Sequence, residues 1–182
     1  MTADILTPRL RLSRPTAADL DTLFAISADP RVWTHYPTLR HTAPEETASM
    51  MARWEANWEQ VGLGPWSVRV RETDELIGYG GCSLFGGEVW NLGYRLSADH
   101  HGNGYATELA FAAIHEVRTV DPGRPVIAFL VEHNRASARV AEKVGLELVY
   151  RGLDAGNPDP SVWRLVYADR PLTEVQLAAA SL

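Results

Sequence analysis

The chain lacks the features of a secreted, membrane-embedded or nucleic-acid-binding protein. Cys82 is the single cysteine among 182 residues, so no intrachain disulfide can form, and the expected compartment is a reducing one. No run of ~18 apolar residues is present, so no membrane-spanning helix is expected. The opening stretch MTADILTPRLRLSRP carries arginines where a secretory leader needs an apolar core. Basic residues are not in excess: 17 Lys and Arg stand against 23 Asp and Glu, a formal net charge of −6. That balance argues against a general nucleic-acid binder, which needs a basic face. A weakly acidic surface can attract a cationic substrate such as an amine, although its simplest consequence is solubility. Internal repeats, low-complexity tracts and linkers are missing too. What is present is 46% hydrophobic and 22% charged residues, enough to bury one core. The expectation is one soluble cytoplasmic domain over residues 1–182.

The pattern alternates between strand and helix. LRLSRP (Leu10–Pro15) reads as a first strand. Residues 16–30 read as a helix with Thr16 as N-cap, Asp19 three residues on and Pro30 beyond its end. APEETASMMARWEANWEQVG reads as a second helix that starts at Pro44 with two glutamates in its first turn and stops at Gly62. Trp54 and Trp58 share a face of it, as core packing or as a substrate wall. Three strands are expected at Trp66–Glu72, Leu76–Phe85 and Glu88–Ser97, joined by hairpin turns at ETDE and GG. A further helix presents Ala106, Leu109, Ala110, Ala113, Ile114 and Val117 on one face. VIAFLV (Val126–Val131) has the unbroken apolar character of a strand covered on both sides. RASARVAEKVG is a helix closed by Gly145, LELVYRG and VWRLVYAD are two last strands, and EVQLAAASL is either a short helix or a frayed tail. The fold class is mixed α/β: a central sheet of six or seven strands with about four helices.

HHGNGYATE (His100–Glu108) sits between the strand at 88–97 and the helix that follows. Strand, glycine turn, helix and strand make a βαβ unit, so the strands at 88–97 and 126–131 should run parallel. Ligands of such units gather at the carboxyl ends of the strands, beside the helix N-terminus. Gly102 and Gly104 let backbone amides approach a phosphate without a Cβ in the way. A bare tight turn is the competing reading. The Walker loop is excluded because Tyr105 and Ala106, not Lys-Ser or Lys-Thr, follow Gly104. The dinucleotide fingerprint fails because Thr107 stands where a third glycine is needed.

DHHGNGYA resembles the acyl-CoA loop of the GNAT acetyltransferases, Gln/Arg-x-x-Gly-x-Gly/Ala. Its continuation Gly-x-Gly-Tyr-Ala-Thr-Glu is similar to the RimJ/RimL-like branch, the ribosomal-protein N-acetyltransferases. A second signature of that family, Asn-x-x-Ser followed by Glu-Lys-x-Gly-hydrophobic, is matched by NRASARVAEKVGL from Asn134 to Leu146. ELIGYGG, NLGYRLS and the N-terminal strand and helix add to the likeness, which covers about 8–168 and leaves 169–182 as a tail. The resemblance implies acetyl transfer from acetyl-CoA to a primary amine, on a protein N-terminus or a small molecule. No metal and no covalent enzyme intermediate are implied. A non-catalytic acyl-CoA-binding relative is the alternative. Homodimers are common in such families and are one expected assembly.

The resemblance also assigns places. Backbone amides of His101, Gly102, Asn103, Gly104, Tyr105, Ala106 and Thr107 would hold the pyrophosphate. The pantetheine arm would pair with the strand end near Tyr94, Arg95 and Leu96, and an amide at about Leu96 would donate to the oxyanion. In this family the two strands splay apart to admit that arm. Asn134 would lie near the arm and Ser137 near the sulfur, although helix capping also explains Asn134. Two departures stand out. Asn91 occupies the place of a glutamate that can act as base, and asparagine takes up no proton at neutral pH. Ala141 occupies the place of a tyrosine acid. His35, His133 and Glu88 are the other candidate bases. An amine with a pKa near ~7.7 needs little help from any of them. Cys82 is expected to be a buried, inert thiol. Tyr36, Trp54 and Trp58 are the candidate acceptor contacts.

Overall fold

In the computed structural model, which describes residues 4–181, one eight-stranded sheet carries five helices. The strands are β1 (Ile5–Leu6), β2 (Leu10–Ser13), β3 (Trp66–Val70), β4 (Leu76–Phe85), β5 (Val89–Leu96), β6 (Val126–Val131), β7 (Glu147–Leu153) and β8 (Trp163–Ala168). The helices are α1 (Leu20–Ala28), α2 (Pro44–Val61), α3 (Tyr105–Val120), α4 (Arg135–Lys143) and α5 (Glu174–Ser181). The sheet order is β1-β2-β3-β4-β5-β6-β8-β7. Every neighbouring pair is antiparallel except β5 and β6, which run parallel as the βαβ reading requires.

The strand count exceeds the expected six or seven because β1 is two residues long, too short to show any period. The fifth helix comes from the tail. It is not frayed: Ala180 is fully buried against Val89, Ile127 and Val166. The N-terminal helix begins as a 3-10 turn at Ala17–Asp19, where the Asp19 carboxylate accepts from the Thr16 amide at 2.9 Å. The same carboxylate accepts from Ser67 Oγ at 2.9 Å, tying that turn to β3.

Turn chemistry fixes the hairpins. Gly86 and Gly87 have φ of 60° and 74°, paired left-handed conformations of a tight turn closed by the Glu88 N–H donating to the Phe85 carbonyl, and with Glu88 they join β4 to β5. Gly62 caps α2 at φ 71°. At the end of α4, Leu146 N–H donates to the Ala141 carbonyl and Gly145 N–H to that of Glu142, while Gly145 turns left-handed.

α3 and α4 pack their apolar faces into the large core that also takes Leu10, Leu12, Val68, Trp90 and Leu92. Leu109, Ala110, Ala113, Ile114 and Val117 are the buried residues of α3, as its spacing predicts. Two of the candidate acceptor contacts belong to packing instead. Trp54 is 9% exposed and lies 4.8 Å from the Tyr79 ring; Trp58 is 6% exposed and meets Trp66 edge-on at 6.1 Å. The Trp58 indole N–H donates to the Pro65 carbonyl at 3.0 Å. Their four-residue spacing points both toward the sheet, and what stays exposed of each borders a depression beside Arg14 and Glu55.

Leu109, fully buried where α3 crosses the sheet, is the test of this core. Leu109→Ala should destabilise the protein by about 2–5 kcal/mol in chemical denaturation, through lost burial and the cavity left behind.

Candidate active site

β5 and β6 are hydrogen-bonded neighbours over only two residue pairs, Trp90 with Val126 and Asn91 with Ile127. Beyond Asn91 the strands part, and β6 continues its pairing with β8 instead. The opening contains two adjoining cavities of about 260 and 390 Å³. They share His35, Tyr94, Arg95, Asn134, Ser137 and Val140 as common walls. The larger ends on the glycine turn; the smaller runs under the segment between α1 and α2.

The turn is built for an anion. Gly102 and Gly104 stand at φ 81° and 80°, left-handed conformations that side-chain-bearing residues avoid. α3 begins directly after Gly104, so the first amides of the helix have no partner within it. His101, Gly102, Gly104, Tyr105, Ala106 and Thr107 line the larger cavity. Asn103 does not: its side-chain amide donates back to the His100 carbonyl at 3.2 Å, which leaves only its backbone for a ligand. The His101 ring donates from Nε2 to the Leu96 carbonyl at 3.0 Å, fastening the turn to the end of β5. A brace from outside the turn completes it. Arg9 donates to the Asn103 carbonyl at 2.8 Å and pairs with Glu108 at 2.7 Å, while Thr7 Oγ1 donates to the other Glu108 oxygen at 2.6 Å. These contacts hold the Glu108 carboxyl below the usual carboxylate range against the opposing effect of burial.

Asn134 caps α4, its Oδ1 accepting from the Ser137 amide at 3.2 Å, and both side chains still border the two cavities. Tyr94 faces them from β5. Burial pushes its phenol up, and a hydrogen bond with Ser137 works against that rise. Ala141 lines the smaller cavity and leaves room there.

The smaller cavity holds Trp33, Tyr36, Leu39 and Phe129 together with His35, Arg95, Asp154 and Arg164, beside the shared Tyr94, Asn134 and Ser137. Tyr36 donates its hydroxyl to the Gly156 carbonyl at 3.0 Å, which sets it in the wall. Asp154 and Arg164, 4% and 8% exposed, form an ion pair at 2.6 Å. His35 is held neutral. Burial first, then the charges of Arg95 and His133, pull its pKa down to about 4.

The other candidates are not brought together here. Asn91 sits in the last paired step of β5, below the cavities; it lines neither, and its Oδ1 is buried without a partner. Glu88 is at the opposite end of β5, in the turn after β4, because the hairpin glycines reverse the chain there. His133 is exposed and spends Nε2 on the His35 carbonyl at 2.9 Å, outside both cavities. Cys82 is fully buried, and burial pushes its thiol up. Sequence reasoning missed the Arg9–Glu108 brace, the Asp154–Arg164 pair, and Arg139 and Lys143 on the rim of the larger cavity. The last two follow Arg135 at intervals of four, a helical stripe readable from the sequence. Nothing local marks Asp154.

An open seam in a mixed sheet, with bare helix amides at one end and a half-open chamber at the other, suits an acyl-CoA-dependent acyltransferase. The profile of the GNAT acetyltransferase domain matches residues 9–147, and the chain belongs to that family, whose members take acetyl-CoA as acetyl donor. It is 30% identical over 153 residues to YkkB, an uncharacterised protein of Bacillus subtilis (strain 168), a match over 78% of this chain and 84% of that one. A crystal structure of an acetyltransferase from Agrobacterium tumefaciens str. C58 matches with TM-score 0.75 and 30% identity, covering 94% of this chain and 96% of that chain. RimL, a ribosomal alpha-N-protein acetyltransferase solved with coenzyme A, shares the fold with TM-score 0.77 at 16% identity, over 91% and 97% of the two chains. Among the described residues no helix is long and apolar enough to cross a membrane, and no cluster of His, Cys, Asp or Glu could hold a metal.

Two outcomes test the chamber. Gly93 lines it, and a Cβ there meets nothing within 4 Å. Gly93→Leu should therefore shift stability by less than about 1 kcal/mol while lowering turnover at least ~10-fold. His35 gives a pH signature. Its folded pKa lies below the ordinary 6.5, so the unfolded chain takes up the proton first as pH falls. The wild type should lose about 1–2 kcal/mol between pH 6.5 and 4 on this account, after allowance for solvent screening. In His35→Gln that part of the loss should vanish from denaturation curves.

Proposed function

We propose that the chain, as a single domain, moves the acetyl group of acetyl-CoA to a primary amine by direct attack of the amine nitrogen on the thioester carbonyl. The open seam carries this reading, since it joins an anion cradle to a chamber through one polar junction. The pyrophosphate would take the amides from His101 to Thr107, with Arg139 and Lys143 adding charge at the rim. The arm would lie along Tyr94 to Leu96, where β5 has lost its neighbour and needs hydrogen-bonding partners. The thioester then falls beside Ser137, and the amine enters past Trp33 and Tyr36.

In the transfer, the nitrogen lone pair forms the C–N bond and the C–S bond breaks. The sulfur leaves toward Ser137, which donates a hydrogen bond, with Tyr94 behind it. The nitrogen must first be neutral. Asn91 cannot take that proton, and His35, with a pKa near 4, is a weak base at neutral pH. Asp154 is the one carboxylate that lines the chamber. Solvent suffices for an amine whose own pKa is near ~7.7. The absence of a carboxylate base on β5 favours one second reading, an acyl-CoA binder that does not turn over.

Calorimetric titration of acetyl-CoA, followed by thiol release with a panel of amines, separates the two. Micromolar binding is expected for the wild type. Gly104→Val should weaken it about 10-fold or more, because a left-handed valine costs about 1–2 kcal/mol and disturbs the cradle. Thiol release with at least one amine establishes the enzyme, and Ser137→Ala should then lower kcat about 10-fold, the worth of one hydrogen bond. Binding without release supports the second reading. No binding by the wild type overturns both.

A further inference from the structure

Arg95 is the anomaly of the cleft. It borders both cavities, at the junction where the reacting atoms would meet. Its guanidinium lies over the Trp33 ring at 3.6 Å, and Nη1 donates to the Val32 carbonyl at 2.7 Å and meets His35 Nε2 at 3.3 Å. Nε is buried with no partner. Its cross-strand neighbour is Tyr79, a neutral phenol. Every group that touches the cation is thus uncharged, and among the described residues Arg95 enters no ion pair. The other arginine of the chamber, the buried Arg164, has its carboxylate in Asp154. The chamber therefore carries one positive charge too many, on a half-buried guanidinium whose Nε is shut off from solvent, where an unpaired charge is costly.

The missing counter-charge has to come with a ligand. Acetyl-CoA does not supply it here, because its phosphates belong at the glycine turn and the arm and thioester are uncharged. That leaves the acceptor. We propose that Arg95 anchors an anionic group of the acceptor, and that the acceptor is an α-amino carboxylate whose carboxylate pairs with Arg95 while its amine faces the thioester beside Ser137. This rests on the acetyl-transfer reading. The α relation follows from position: Arg95 and Ser137 both border the junction of the two cavities, so anion and nucleophile must be close together in the ligand. The apolar wall of Trp33, Leu39 and Phe129 suits a hydrophobic side chain on that carboxylate. The pairing also helps the chemistry. A free α-carboxylate raises the pKa of its neighbouring amine, and neutralisation by Arg95 removes that effect, which makes the missing base on β5 less costly.

The test crosses ligand charge with residue charge. L-Phenylalanine, L-leucine and L-methionine are each compared with the corresponding amide and decarboxylated amine, in wild type, Arg95→Met and Arg95→Lys. Thiol release gives kcat/KM. Separately, the N-acetyl derivatives of the three acids are titrated calorimetrically into protein saturated with coenzyme A, a readout that needs no turnover. In the wild type, at least one acid should exceed its amide at least tenfold in kcat/KM. Arg95→Met should erase that preference, the acid losing at least tenfold more in kcat/KM than its amide, and Arg95→Lys should restore part of it. The matching N-acetyl acid should bind wild type and not Arg95→Met. Equal use of acids and amides by the wild type would overturn the proposal and leave acetyl transfer standing. So would an equal loss for both in Arg95→Met, which would mark a structural or oxyanion role. Binding of an N-acetyl acid through Arg95 without turnover of any amine would uphold the anchor and sink the transfer reading. No binding of any N-acetyl acid to the wild type overturns the anchor. If Arg95→Met fails to fold by circular dichroism, the acid-to-amide ratio in wild type and Arg95→Lys decides.

Discussion

Two pairs of residues hold β5 to β6, and the protein depends on their being no more. A sheet gains from continued pairing, and an open edge exposes backbone donors and acceptors that must find partners. Here β6 keeps β8 on its far side, and β5 keeps β4, so neither strand is free to collapse onto the other. The helices on the α3–α4 face set the gap. α3 leaves the end of β5 through the glycine turn and α4 leaves the end of β6 through Asn134, so two helix N-termini flank one opening. The opening is a consequence of topology and helix packing and involves no strained residue of its own.

Charge within that opening differs from charge on the chain as a whole. The net charge is −6, yet the cleft gathers Arg95 and Arg164 inside and Arg139 and Lys143 at its rim, against Asp154 alone within the chamber. The chain as a whole is acidic, while the local field suits anionic ligands. Burial does further work on the titratable groups. The same low polarity that keeps His35 neutral and the Cys82 thiol protonated leaves an arginine without a counter-ion conspicuous. The glycine turn needs support because its glycines give the backbone freedom as well as room. The Arg9–Glu108–Thr7 brace ties it to the far edge of the sheet.

Much of the fold was legible from local signals. The apolar spacing of Leu109 to Val117 gave α3 its buried face, the GG turn gave the β4–β5 hairpin, and Gly62 and Gly145 marked helix ends where the chain does turn left-handed. β1 was missed because two residues show no period. The insertion of β8 between β6 and β7 was equally invisible, since strand order is a choice between pairings that local sequence allows alike. Trp54 and Trp58 show the limit of a shared face: spacing established that they point the same way and could not tell core from cavity.

The site divides along the same line. The amino-acid sequence by itself determined the glycine turn, the capping Asn134 with Ser137, and the family to which they belong, because each is a contiguous stretch whose geometry follows from its own residue types. Only the tertiary structure decided that Asn91 lies below the cleft and Glu88 at the wrong end of its strand, and that Tyr36 from one loop meets Gly156 from another. It alone paired Asp154 with Arg164 and left Arg95 without a carboxylate. Charge balance inside a cavity is a sum over residues distant in sequence, and burial determines how strongly each charge is felt. Neither quantity exists until the chain has closed around the space.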